Sequence, residues 1–231
     1  MISDIEETKR EIFHGYNKVW NLNSKISNSL VQTARGYKNF SGIEELIEDF
    51  LRKNPFDHKV VLSIGCGAGK DVEKIKKLFP SAQAYGIDIA RYALQEAKKH
   101  SDADFICASA ERLPFREDLK FDMLIAGQIL DIFPNEEYLK RIAGELTKYS
   151  SKGARFYMAF YGFDIEDLEL NKCTPIGNTL DNFGWEIIHG DVYSQNISDY
   201  SRGVFWVKEK TSTLSLKTDR VLLKHRLLPL Y

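Results

Sequence analysis

The chain has 231 residues, 43% apolar and 28% charged, the balance of a soluble globular protein long enough for one α/β domain with a sizeable core. Its formal net charge of −1 gives no general attraction to nucleic acid or an anionic membrane, and its three scattered cysteines (Cys66, Cys107, Cys173) make neither a disulfide framework nor a zinc site, so no metal is expected. No run approaches the roughly 18 uninterrupted apolar residues of a membrane helix, and Met1 to Arg10 is charged where a secretory leader would be apolar, so a cytoplasmic protein is expected.

Residues 1–40 read as helical pieces broken by Asn21, Asn23, Ser27 and Asn28, and they carry Phe13, Tyr16, Trp20, Tyr37 and Phe40. Ser41 followed by Glu44 is a capping pattern, and Ile43, Leu46, Ile47, Phe50 and Leu51 share one face of a helix that stops before Pro55. From Lys59 strand and helix alternate. Strands are expected at 60–64, 84–87, 104–107, 121–126 and 155–160, with helices over about 71–79, 91–100 and 136–149 between them. Such repeated β-α units imply a parallel sheet with helices on both faces and all strand C-termini on one edge, where ligands bind. Cys66 and Cys107 fall at expected buried strand ends.

The end of the chain breaks the alternation. Residues 185–192 and 203–209 are strand-like with no helix between them, so they are expected to pair antiparallel at one side of the sheet. One domain is expected: a helical N-terminal cover over 1–40, a core over 41–209 and a tail over 210–231 that packs on the surface.

Chemistry concentrates where strands end. Gly65, Gly67 and Gly69 occupy every second position between the first strand and its helix, which permits a sharp turn and lets a ligand lie on bare backbone. The helix then presents free N–H groups. A nicotinamide-type turn reads Gly-x-Gly-x-x-Gly, whereas here the third glycine comes one residue early. Asp88 lies 19 residues beyond Gly69, at the tip of the second strand, where a carboxylate can accept hydrogen bonds from ribose hydroxyls. The segment from Cys107 to Phe115 follows the third strand, and Ala126-Gly127-Gln128 ends the fourth.

In this order the glycine loop, Asp88, the phrase Ala110-Glu111-Arg112-Leu113-Pro114-Phe115 and the fourth-strand exit resemble the class I S-adenosylmethionine-dependent methyltransferases, over about residues 42–209. Phe183-Gly184-Trp185 resembles that family's turn into its closing hairpin. The resemblance implies a Rossmann-like, seven-stranded, mostly parallel sheet with one antiparallel strand, and S-adenosylmethionine as cofactor. By the same resemblance Gly65, Cys66, Gly67 and Gly69 approach the amino-acid part of the cofactor. Asp88 binds the ribose, Ile89 packs on adenine, Ser109, Ala110 and Glu111 edge the adenine ring, and Ala126, Gly127 and Gln128 line the methionine end. Two positions depart from the family pattern. Ser63 and Ser109 stand where an acidic residue is usual. A neutral hydroxyl makes a contact about half as strong as a charge-assisted one, so intact but weaker cofactor binding is expected.

The resemblance carries over no catalytic residue, because the cofactor supplies the electrophile and the protein mainly aligns and desolvates the nucleophile. Asp131, Tyr161 and Tyr16 are candidates on the acceptor side, with Tyr37 and Arg35 in the N-terminal cover, while His189 reads as structural or exposed. The fourth strand lacks the Asn-Pro-Pro-aromatic motif of amino-group DNA and glutamine methyltransferases, and there is no basic, aromatic-interleaved patch. A small-molecule N or O acceptor is therefore expected. An RNA or protein methyltransferase and a non-catalytic member of the fold remain open alternatives.

Overall fold

The computed structural model describes residues 43–127, 136–162, 174–194 and 202–211. The expected helical pieces before residue 41, with Tyr16, Arg35 and Tyr37, lie outside the described residues, as do Gln128, Asp131 and the tail beyond Thr211. Tyr161 is described as backbone only.

The elements run α1 (Ile43–Lys53), β1 (Val60–Ile64), α2 (Lys70–Leu78), β2 (Gln83–Asp88), α3 (Arg91–Ala97), β3 (Asp104–Cys107), β4 (Phe121–Gly127), α4 (Glu136–Lys148), β5 (Ser150–Gly162), α5 (Thr174–Asn182), β6 (Trp185–Ser194) and β7 (Arg202–Lys210). They build one seven-stranded sheet in the order β3-β2-β1-β4-β5-β7-β6. The first five strands are parallel, and β7 lies antiparallel between β5 and β6. The expected Rossmann-like sheet is thus present.

Strand alternation makes two cores. Leu62, Ile64, Leu124 and Ala126 face one side, where Leu139, Ile142, Ala143 and Leu146 of α4 and Ile176 and Leu180 of α5 cover them. Val61, Met123 and Ile125 face the other, against Ile43, Ile47 and Phe50 of α1, Val72 and Ile75 of α2, and Leu94 and Ala97 of α3. Central strands apolar on both faces are what a sheet buried between helices requires.

Three elements differ from the sequence reading. The helix after β2 stops at Ala97, where Lys99 and His100 N–H groups bond to the Glu96 and Ala97 carbonyls in tight i→i−3 turns. β5 starts at Ser150, directly after α4, and Gly153 at φ 76° lies within it. α5 was not expected at all. Gly177, Asn178, Thr179 and Asn182 are poor helix formers, and the helix exists because Ile176 and Leu180, one turn apart, bury against the sheet. Cys107 is a correction as well. It is exposed, because β3 is the edge strand and its last residue has no neighbour on that side.

Two buried lysines on β7 fasten the antiparallel end. Lys208 Nζ donates to the Gly177 carbonyl at 3.1 Å and to the Asp181 carboxylate, holding α5, and burial pulls its pKa below the usual lysine range. Lys210 Nζ donates to the carbonyls of Thr147 at 2.8 Å and Ser150 at 2.7 Å, satisfying the C-terminal end of α4. The fully buried Trp185 donates from Nε1 to Thr147 Oγ1 at 2.8 Å, so the turn through Gly184 is docked on the same helix end.

The end of the sheet where β1 and β4 begin has its own polar anchor. His58 is fully buried, with Nε2 2.9 Å from the Tyr157 hydroxyl and Nδ1 3.6 Å from Asp122 Oδ1. Asp122 accepts from the Lys59 N–H at 2.9 Å and the Val60 N–H at 3.3 Å, which pins the start of β1 beside β4. Burial pushes the Asp122 carboxyl up, but the nearby His58 ring and the two N–H donors outweigh it and hold the group below the usual aspartate value. A depressed carboxylate contributes stability that is full above its unfolded pKa of about 3.9 and is lost as pH falls through the folded value. Asp122→Asn is accordingly expected to cost about 1–2 kcal/mol at pH 7 in urea denaturation. The gap from the wild type should close as pH is lowered past the folded pKa.

Candidate functional site

The candidate site lies at the C-terminal edge of the parallel strands. β1 sits between β2 and β4, so the chain leaves it in one direction for β2 and β3 and returns on the other side for β4. The crevice at this switch of direction is where open α/β sheets bind ligands.

The glycine loop builds the floor of that crevice. Gly65, Gly67 and Gly69 have φ of 65°, 51° and 75°, a left-handed region that side chains with a Cβ avoid. Gly69 also has no room, since a Cβ there would stand 2.8 Å from the Ala97 Cβ. The Cys66 N–H bonds to the Ile87 carbonyl at 3.0 Å and the Gly69 N–H to the Cys66 carbonyl at 2.8 Å, closing the turn before α2 begins. Cys66 is buried over Gly86, where a Cβ would lie 2.8 Å from its Sγ. Burial pushes the Cys66 thiol well up, and the charges of Asp71 and Asp88 push it the same way, so it stays protonated and packs as a small apolar group.

Asp88 joins this loop to the second turn. Its Oδ2 accepts from the Gly67 N–H at 2.9 Å and its Oδ1 from the Ala90 N–H at 2.7 Å. Burial raises its pKa from the usual aspartate value, and the N–H groups of Ala90, Gly67 and Ile89 oppose that shift in part. The Asp88 carbonyl accepts from the Ala108 N–H at 3.1 Å, and Cys107 Sγ lies 3.7 Å from the Ile89 carbonyl, which brings the turn after β3 alongside.

That third turn is held from α4. Glu145 accepts from the Leu113 N–H at 2.9 Å, and the Tyr149 hydroxyl donates to the Phe115 carbonyl at 3.0 Å. Ser109 Oγ stands 3.4 Å from the Tyr138 hydroxyl. Ile89, Ser109 and Glu111 are half-buried along this rim. Ala110 and Ala126 instead belong to the core on the α4 face, and of the pair ending β4 it is the half-buried Gly127 that reaches the edge. A Cβ on Gly127 would come within 3.1 Å of Ile43 Cγ2, so the first turn of α1 lies directly over the exit of β4.

Of the expected site residues, Gly65, Cys66, Gly67, Gly69, Asp88, Ile89, Ser109 and Glu111 are gathered on one edge by these bonds, and Gly127 closes its far side. His189 sits away from them, its ring 5.0 Å from Phe50 and 5.9 Å from Phe205, in a packing role. Three residues escaped the sequence reading: Asp71, whose carboxylate accepts from the Ser63 hydroxyl, and Tyr138 and Glu145 on α4. Asp71 stands two residues beyond the last loop glycine and was open to suspicion on that ground. Nothing in local spacing connects Ser109 or Leu113 with a helix some thirty residues away.

The family description "Methyltransferase domain" matches residues 61–153, from β1 through the start of β5. That segment is less than half of the chain, and over it the chain is similar to methyltransferase domains. Two curated relatives are malonyl-[acyl-carrier protein] O-methyltransferases. The one from Legionella pneumophila is 25% identical over 117 residues, 47% of this chain and 41% of the relative, and the one from Brevibacillus brevis is 24% identical over 151 residues, 60% and 53% respectively. The match therefore spans about half the length of those relatives. Among solved structures, an S-adenosylmethionine-dependent methyltransferase from Clostridium acetobutylicum superposes with a TM-score of 0.63 at 12% identity, covering 82% of this chain and 99% of the other. The methyltransferase fold thus extends well beyond the segment with sequence similarity.

The donor set fits the cofactor that this fold implies. A carboxylate at the end of β2 suits a diol, half-buried apolar surface at Ile89 suits an aromatic base, and the glycine loop leaves backbone open to an amino-acid moiety. Gly69→Ala is expected to destabilise the fold by about 2–3 kcal/mol, the sum of a left-handed backbone penalty and the Ala97 clash, as read by the shift in urea midpoint.

Proposed function

We propose that the chain binds S-adenosylmethionine across the ends of β1, β2 and β4 and transfers its methyl group to an oxygen or nitrogen nucleophile of a small molecule. The observation that carries this reading is the Asp88 bridge between the glycine loop and the turn after β2. A carboxylate offers about four acceptor directions, so the backbone donors that fix Asp88 leave it able to accept from a ribose hydroxyl. The loop glycines let the cofactor's amino-acid part approach the backbone, Ile89 and the 109–111 turn exclude water from the adenine, and Gly127 bounds the methionine end.

When bound, the cofactor supplies a methyl group already activated on a sulfonium sulfur. The chain's task is then to bring a nucleophile in line and strip it of water. The two curated relatives are named for O-methylation of a malonyl group, and a carboxylate of that kind is ionised at neutral pH and needs no general base. Dicarboxylic acyl thioesters are therefore the first acceptors to try, beside amines and alcohols. Tyr161 at the end of β5, with Asp131 and Tyr16, is our candidate for acceptor contacts.

Two outcomes are expected. S-adenosylhomocysteine binds in calorimetric titration, and Asp88→Asn weakens it about tenfold or more. Hydroxyl donors favour the ionised carboxylate, so wild-type affinity falls as pH drops through the raised pKa of Asp88, a step absent in the variant. Incubation with S-adenosylmethionine and an acceptor panel releases S-adenosylhomocysteine. Binding without release from any acceptor would remove the transfer step from the proposal, and absence of binding would remove the whole.

A further inference from the structure

Ser63 is fully buried in β1, on the face covered by α1, α2 and α3, and its hydroxyl donates to the carboxylate of Asp71. Asp71 is half-buried in the first turn of α2, just past the glycine loop. Its charge reaches the Cys66 thiol, as that of Asp88 does from the other side, so the two carboxylates flank the loop. A hydroxyl that spends its one proton on a carboxylate keeps its oxygen lone pairs for another donor, and that oxygen is polarised by the bond it makes.

Resting on the cofactor reading above, we propose that Asp71, acting with Ser63, is the carboxylate that positions the ammonium group of the cofactor's amino-acid end. The pair puts a negative charge where the strand itself offers only a neutral serine. A carboxylate at position 63 would sit in a place with no solvent access and bear a large desolvation cost. Held in the first turn of α2, the same charge is favoured by the helix N-terminus and by the neighbouring N–H groups, and the Val72 N–H lies 2.8 Å from Asp71 Oδ1. Ser63 then extends that charge toward the loop through one hydrogen bond. The contact at this end of the site is charge-assisted, which removes the reason to expect weak binding from Ser63 alone.

The test compares two ligands that share the adenosine part: S-adenosylhomocysteine, which carries the amino-acid end, and methylthioadenosine, which lacks it. Asp71→Asn keeps the size of the side chain and one of the two acceptor oxygens used by Ser63 and Val72, and removes the charge. It is expected to weaken S-adenosylhomocysteine about tenfold while leaving methylthioadenosine within about twofold. Ser63→Ala should shift the same ratio in the same direction. Equal losses for both ligands would overturn the proposal in favour of a structural role in the loop, as would no loss for either, and a thermal melt of each variant separates folding from binding. If the wild type binds neither ligand, it is the cofactor reading that has failed. If it binds both and Asp71→Asn leaves their ratio unchanged, the cofactor reading stands and the Asp71 assignment falls.

Discussion

One aspartate ties together the three turns from which the crevice is made. Asp88 accepts from the backbone of the glycine loop with one oxygen and from the turn after β2 with the other, while its own carbonyl receives the turn after β3. These turns leave neighbouring parallel strands, and beyond the Cys66 N–H bond to the Ile87 carbonyl it is the Asp88 side chain that fixes the glycine loop against the turn after β2. Burial of the group raises the cost of its charge, and the N–H donors converging on it offset that cost. The same feature that strains the electrostatics of the site is the one that gives the site a shape.

The edge remote from the crevice is built on a comparable logic with different chemistry. There His58 and Tyr157 meet inside an aromatic cluster with Phe56 and Phe79, and Asp122 pins the first residues of β1. Arg155 lies over the Phe56 ring at 4.2 Å and brings a guanidinium to the same corner. On β7, Lys208 and Lys210 secure the helices on the α4 face with buried ammonium groups. Polar groups thus sit at the margins of the two apolar cores, each satisfying backbone or side-chain partners, and the central strands carry apolar residues almost alone.

Much of this was legible in the sequence because it depends on short-range pattern. The strand-to-helix switch at Gly65, Gly67 and Gly69, the placement of Asp88 at a strand tip and the unusual strand pair at the end all follow from residues close together in the chain. What was not legible depends on partners distant in sequence or on weak local preference. α5 has poor helix formers and forms through burial of Ile176 and Leu180, which only the folded sheet provides. Cys107 looked like a buried strand residue and is exposed because β3 lies at the edge, a fact of topology. Ser63 illustrates the gap most directly. Read alone it was a lost charge, and only the fold reveals the aspartate eight residues later to which its hydroxyl is bonded.

The close approach of Ile43 to Gly127 divides the labour between parts of the chain. In the proposed reading the residues that hold the ribose, the adenine and the amino-acid end come from β1 to β3 and their turns, on one side of the switch in strand direction, and only Gly127 comes from β4. The other side is bounded by the exit of β4 and by the start of α1, which packs through apolar side chains and shares no polar contact with the Asp88 bridge among the described residues. In that reading, changes in α1 can reshape what is admitted beside the methyl group and leave the Asp88 bridge and the glycine loop intact. On the proposed reading, acceptor choice can vary in one segment while the other is held constant by the geometry of three glycines and a single aspartate.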